Sequence, residues 1–154
     1  MHTRPPIQVV VVGSSLNREA VVSAMTRWSI EPVCCSGVQE ARQVFPRHSR
    51  SLVFCEEQLS DGSYRDLLPE LARDRRSQMV VISSADDLDQ VHHEASELGA
   101  FETLASPCTP GDVQWVAIRA LQEAERRGRN TRRQGFDVSE PSSTSAQAQS
   151  SADE

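Results

Sequence analysis

Lysine is missing altogether: the chain carries 16 basic residues and every one is arginine, so no site in it can draw on a lysine side chain. Long apolar runs are missing too. Val9 to Val12 is only strand-sized, far short of the roughly 20 residues that span a bilayer. The opening Met1 to Pro6 has no charged-then-apolar leader pattern, so neither a membrane-embedded nor an exported chain is expected. Positive charge is outnumbered: 22 acidic residues give a net charge of −6, which disfavours a general nucleic-acid binder because phosphate contacts need clustered cations. The cysteines (Cys34, Cys35, Cys55 and Cys108) show neither CxxC spacing nor the density of a disulfide-bonded domain. A reduced, cytoplasmic chain is the expectation.

What is present is an alternation of strand-like and helix-like segments. Ile7 to Val12 is a nearly continuous β-branched run closed by Gly13, Ser14 and Ser15, as for a strand buried on both faces. Leu16, Ala20, Ala24 and Trp28 then recur at helical spacing. Pro32 to Ser36, Ser51 to Cys55, Gln78 to Ile82 and Phe101 to Ala105 read as four further strands. Between them, Val38, Ala41, Val44 and Phe45 mark a second helix, and Tyr64, Leu67, Leu68 and Leu71 a third. Leu88, Val91, His92, Ala95 and Leu98 stripe a fourth, stopped at Gly99. Val113, Val116, Ala117, Ala120, Leu121 and Ala124 stripe the fifth and longest.

Five such strands and helices call for an α/β fold, a doubly wound five-stranded parallel sheet with helices on both faces. The expected organisation is an N-terminal extension over 1–6, one domain over 7–128, and a disordered Ser-, Ala- and Gln-rich tail over 129–154. In open sheets of this kind ligands bind at the carboxyl ends of the strands, where the strand order reverses. Gly13, Ser14, Glu56, Glu57, Ser83, Ser84 and Ser106 fall at such ends.

At these positions the chain resembles the receiver domains of response regulators. The stretch Leu52 to Gly62 (Leu-Val-Phe-Cys-Glu-Glu-Gln-Leu-Ser-Asp-Gly) and the stretch Leu98 to Pro107 (Leu-Gly-Ala-Phe-Glu-Thr-Leu-Ala-Ser-Pro) carry the resemblance, which covers residues 7 to 126. It implies the flavodoxin-like strand order and a two-component, phosphorelay-type signalling role. It also implies a site of one acidic pair, a phosphoacceptor aspartate, a hydroxyl and a lysine. Here the acidic pair falls on Gly13 and Ser14, the acceptor on Glu56, the hydroxyl on Ser83, the lysine on Ser106, and the aromatic switch position on Thr103. Mg²⁺ prefers carboxylate oxygens in tight octahedral geometry. With the pair and the lysine gone, a metal site, a cofactor and conventional phosphotransfer are not expected, and the domain reads as a non-enzymatic pseudo-receiver. Glu56 is read as a solvated loop carboxylate beside Glu57, with mimicry of a phosphoryl group as the alternative.

The remaining candidates read as structural. Cys34 and Cys35 point to opposite faces of a strand, and Cys55 has no histidine partner and suits a core position. Cys108, after Pro107, is expected to be exposed. His92 and His93 lack the i, i+4 spacing of a helical metal pair. The cluster Arg126, Arg127, Arg129, Arg132 and Arg133 complements a helix C-terminus, with phosphate contact the lesser reading. Three functions stay open: a stand-alone pseudo-receiver working by protein contact, a flavodoxin-like small-molecule or anion-binding domain using Gly13, Ser14 and Ser15, and a receiver that phosphorylates Glu56. No output domain is recognisable after the fifth helix. By resemblance the contact surface is the face of the fourth helix, fifth strand and fifth helix, where Asp89, His93, Glu94, Glu97, Gln114, Arg119 and Gln122 lie off the apolar stripes. A homodimer through that face is an open variant.

Overall fold

A computed structural model describes residues 7–45, 50–73 and 77–139, with side chains up to residue 127. The segment 1–6 and the stretch 140–154 of the expected tail lie outside the described residues. In chain order the elements are β1 (Ile7–Val12), α1 (Ser15–Thr26), β2 (Val33–Cys35), α2 (Val38–Val44), β3 (Arg50–Glu56), a small hairpin of β4 (Gln58–Leu59) and β5 (Gly62–Ser63), and α3 (Tyr64–Leu71). Then follow β6 (Gln78–Ser84), a 3₁₀ turn over Ala85–Asp87, α4 (Leu88–Leu98), β7 (Glu102–Ser106) and α5 (Pro110–Ser139).

β2, β1, β3, β6 and β7 form one parallel sheet in that order. The three inner strands are apolar on both faces, because helices cover both. Val9, Val11, Leu52, Phe54, Val80 and Ile82 pack with Ala20, Val21, Ala24 and Met25 of α1 and Val113, Val116, Ala117 and Ala120 of α5. Val10, Val12, Val53, Cys55, Met79 and Val81 pack against α2, α3 and α4. The chain leaves β1 toward β2, then returns across β1 to β3, so the reversal of strand order sits between β1 and β3. The crevice beyond their carboxyl ends is therefore the place for a site.

The parallel sheet expected from the alternation is the one observed, with differences at the edges. Leu16 and Trp28, taken as the ends of the α1 stripe, are 59% and 38% exposed; the buried stripe is Asn17, Ala20, Val21, Ala24 and Met25. Leu98 is exposed as well, and Gly99 ends α4 at φ 108°. The α5 backbone stays helical to Ser139, past the boundary set at residue 128, so residues 129–139 are corrected from disordered tail to helix. Among the described residues no helix is long and apolar enough to cross a membrane.

The turn at Asp61 and Gly62 has a long-range task. Asp61 accepts hydrogen bonds from the backbone N–H of Val38 (2.7 Å) and Gln39 (3.1 Å), capping α2, whose own N-cap residue Gly37 has no side chain to offer. These two bonds hold the Asp61 carboxyl below its ordinary pKa. A depressed carboxyl stabilises the fold above the unfolded-state value, and that contribution is lost as pH falls through the folded one. Asp61→Ala should lower the urea midpoint at neutral pH, and the gap from the parent should close on acidification. A gap that stays constant down to the acid transition would show that the cap contributes nothing.

Candidate functional site

The sheet register assembles the site. Val12 lies beside Cys55, which puts Gly13 beside Glu56; Glu56 pairs with Ile82, and Ser84 with Ser106. Side chains alternate along a strand, so Glu56, Ser84 and Ser106 share the face covered by α1 and α5. Ser83 and Glu57 belong to the opposite face. Ser83, expected to be the site hydroxyl opposite Glu56, is buried and donates to Glu57 Oε1 at 3.1 Å. The hydroxyl on the Glu56 face is Ser84, at whose edge Asp87 accepts its bond at 3.1 Å.

Glu56 is not a solvated loop carboxylate, and that reading is corrected. Its Oε2 accepts from Ser14 Oγ at 2.7 Å and from Asn17 Nδ2 at 2.8 Å. Asn17, which the sequence reading did not single out, is 3% exposed and uses both ends of its amide. Nδ2 also donates to Ser106 Oγ at 3.1 Å, and Oδ1 accepts from the Cys108 backbone N–H at 3.1 Å. A closed polar network thus joins the end of β3, the start of α1, the end of β7 and the loop into α5. Gly13 makes room for it: an added Cβ would lie 2.6 Å from Glu56 Cγ.

Glu57 is held on the other side of the sheet. Arg65 Nη2 lies 3.7 Å from its Oε2, and the same guanidinium makes two bonds to Glu94 of α4, at 2.7 and 2.6 Å. The neighbouring carboxylates are therefore splayed, Glu56 toward α1 and α5, Glu57 toward α3 and α4. Between them opens a cleft of about 340 Å³, lined by Ser14, Asn17, Glu56, Glu57, Ser84 and Ser106 among others.

Mg²⁺ does not fit this donor set. The metal needs several hard oxygens converging at about 2.0–2.1 Å, whereas the one carboxylate on the correct face is engaged by two neutral donors and turned over Gly13. The Gly13 carbonyl in turn accepts from Arg18 Nη2 at 3.4 Å. Ser106 supplies a hydroxyl and no charge. No group of three or more potential metal ligands occurs among the described residues.

Three of the thiols, Cys35, Cys55 and Cys108, are buried and inert by position. Burial raises Cys35 and Cys108 to about 11 and pushes Cys55 higher still. Cys108 is buried, against the expectation of exposure, with its Sγ 3.5 Å from Asn17 Oδ1. Thr103 is also buried, its Oγ1 2.9 Å from His92 Nδ1, while His93 lies outside by Glu97. On the expected contact face, Glu94, Gln114 and Arg119 have partners within the domain: Arg65, the Ala24 carbonyl and Glu102. Arg126 and Arg127 both bond to Glu123; the side chains of Arg129, Arg132 and Arg133 lie outside the described residues.

No family model matches the sequence, and no curated protein matches it. Solved structures do. The receiver domain of NtrX from Brucella abortus is 21% identical over 75% of this chain and 98% of its own, with a TM-score of 0.66. A response regulator receiver domain protein from Clostridium thermocellum is 20% identical, over 78% of this chain and 98% of that one, at 0.67. A CheY-like receiver domain protein from Methanospirillum hungatei is 14% identical, over 77% and 96%, at 0.66. The fold is that of response-regulator receiver domains.

Proposed function

We propose that this chain is a cytoplasmic, non-enzymatic signalling module of receiver type that acts through protein–protein contact in a two-component setting, without Mg²⁺-dependent phosphotransfer. The observation that carries this reading is the pair of hydrogen bonds from Ser14 and Asn17 to Glu56. They fix Glu56 Oε2 against α1, away from a free attacking pose, and the lysine position holds Ser106, a hydroxyl with no charge to support a transferring phosphoryl group. Phosphorylation of Glu56 is disfavoured for the same reason. An anion-binding role for Gly13, Ser14 and Ser15 meets the Glu56 carboxylate already lying against Ser14.

For contacts, the face of α4, β7 and α5 remains the proposed surface. On α5 it presents Trp115, 63% exposed, about one turn from Arg119, whose guanidinium lies over the Phe101 ring. An exposed aromatic ring on an outer helix face suits recognition of a protein.

Incubation with acetyl phosphate and Mg²⁺, followed by intact-mass measurement, should leave the chain unmodified while a conventional receiver treated alongside gains a phosphoryl group. A hydroxylamine-labile adduct on Glu56 would overturn the proposal.

A further inference from the structure

The network around Glu56 does more than disable a reaction. Asn17 connects Glu56 to Ser106 and to the Cys108 amide, and through them to the loop that leads into α5. α5 packs on α1, and the two share one core layer. The contact that fixes the end of β7 against α1 is thus made by a side chain of the protein itself.

We propose that the Glu56 carboxylate is a permanent, tethered occupant of the site: through Asn17 it holds loop 106–109 and the start of α5 against α1, in one arrangement that no phosphoryl donor or metal ion is needed to set. The proposal rests on the reading of the domain as a non-phosphorylated receiver and names the residues that replace its regulation. Three features support it. The donors that meet the carboxylate, Ser14 Oγ and Asn17 Nδ2, are neutral and are brought together by the first turn of α1, so the contact needs the folded α1 terminus. Gly13, at φ 151°, leaves open the space through which the Glu56 side chain passes, so the occupant and its passage are matched. Glu57 leaves in the opposite direction to Ser83 and Arg65, which keeps the second carboxylate from competing for the same donors.

The proposal differs from a simple packing role in a way that can be measured. If the carboxylate is an occupant, a small free carboxylate should replace it. Hydrogen exchange is followed on the full chain without Mg²⁺ or phosphoryl donor, so the outcome is independent of whether Glu56 can be phosphorylated. In Glu56→Ala the Cys108 amide and its neighbours in loop 106–109 should exchange faster by about tenfold or more, as expected when a charge-assisted hydrogen bond that orients their acceptor is lost. Added formate should restore slow exchange, while chloride at equal ionic strength should not. Asn17→Ala should speed exchange at the same loop, and formate should not rescue it, since the relay itself is gone. Glu56→Gln, which keeps a carbonyl acceptor and the side-chain length, guards against an alanine variant that fails to fold; its exchange should lie between the parent and Glu56→Ala. Parent-like exchange in both Glu56 variants, or equal rescue by formate and chloride, would overturn the proposal.

Discussion

Asn17→Leu should destabilise the domain by about 2–4 kcal/mol, although leucine matches asparagine closely in size. Asn17 is 3% exposed and sits on the core stripe of α1, so the added methyl groups meet no new void to fill. What is lost is the pairing of three groups at once. The Cys108 amide, on a residue 7% exposed, loses its acceptor, and a buried unpaired donor carries the full desolvation penalty of about 1–3 kcal/mol. Ser106 and Glu56 each lose a donor, but both are only half-buried, and water can take over part of that role. Asn17→Asp should fail differently, because it brings a second carboxylate against Glu56. Two carboxyl groups at that separation cannot both ionise freely, so one pKa is raised. A raised carboxyl carries its penalty when ionised, so the deficit of this variant should open as pH rises out of the carboxylate range and shrink on acidification. Urea denaturation at several pH values reads both. A leucine variant within about 0.5 kcal/mol of the parent, the range of an ordinary surface change, would mean that the network is incidental.

The sheet was legible in the sequence because burial on both faces forces unbroken apolar runs at β1 (Val9 to Val12), β3 (Leu52 to Cys55) and β6 (Met79 to Ile82). α3 was equally plain: Tyr64, Leu67, Leu68 and Leu71 repeat at helical spacing and all four are buried. The same two-sided burial hid the parity of the strand ends. When every residue from Met79 to Ile82 is buried, nothing in the pattern says which of Ser83 and Ser84 shares a face with Glu56. Only the register, with Ser84 beside Ser106, decides it.

Asn17 was missed for a related reason. The apolar stripe of α1 was drawn through Leu16 and Trp28 because they are hydrophobic, yet both lie off the core, and a polar residue takes the inward position. A signal was present: Asn17, Ala20, Val21 and Ala24 fall at i, i+3, i+4 and i+7, the spacing of one helix face. An amide at the first of these positions, next to strand ends rich in serine and glutamate, marks a buried polar group in search of partners. The Asp61 cap on α2 had no local signal at all, since Asp61 and Val38 are 23 residues apart. At the other end, the domain boundary fell at residue 128 because the apolar stripe of α5 ends at Ala124, but a helical backbone can run on without a stripe, and a glycine inside it costs only about 1 kcal/mol.

Gly13→Ala should be the second severe substitution, for two separable reasons. Gly13 holds φ at 151°, a region that residues with a side chain avoid at a cost of about 1–3 kcal/mol. Its new Cβ would also lie 2.6 Å from Glu56 Cγ and 2.8 Å from Oε1, so the carboxylate would have to leave Ser14 and Asn17. The two effects should add to about 2–4 kcal/mol, read as a lower urea midpoint with an unchanged slope. The double variant Gly13→Ala with Glu56→Ala tells them apart. Removing Glu56 relieves the collision but leaves the backbone strain, so the double variant should be more stable than the sum of the two single losses predicts, by about 1 kcal/mol or more. Strict additivity would mean that the side chain passes clear of position 13, and the matched pair of a bare glycine and a folded-back glutamate would lose its meaning. Non-additivity would explain why the receiver pattern cannot be restored here one residue at a time: a carboxylate at position 13 and the Glu56 side chain in its present pose claim the same space.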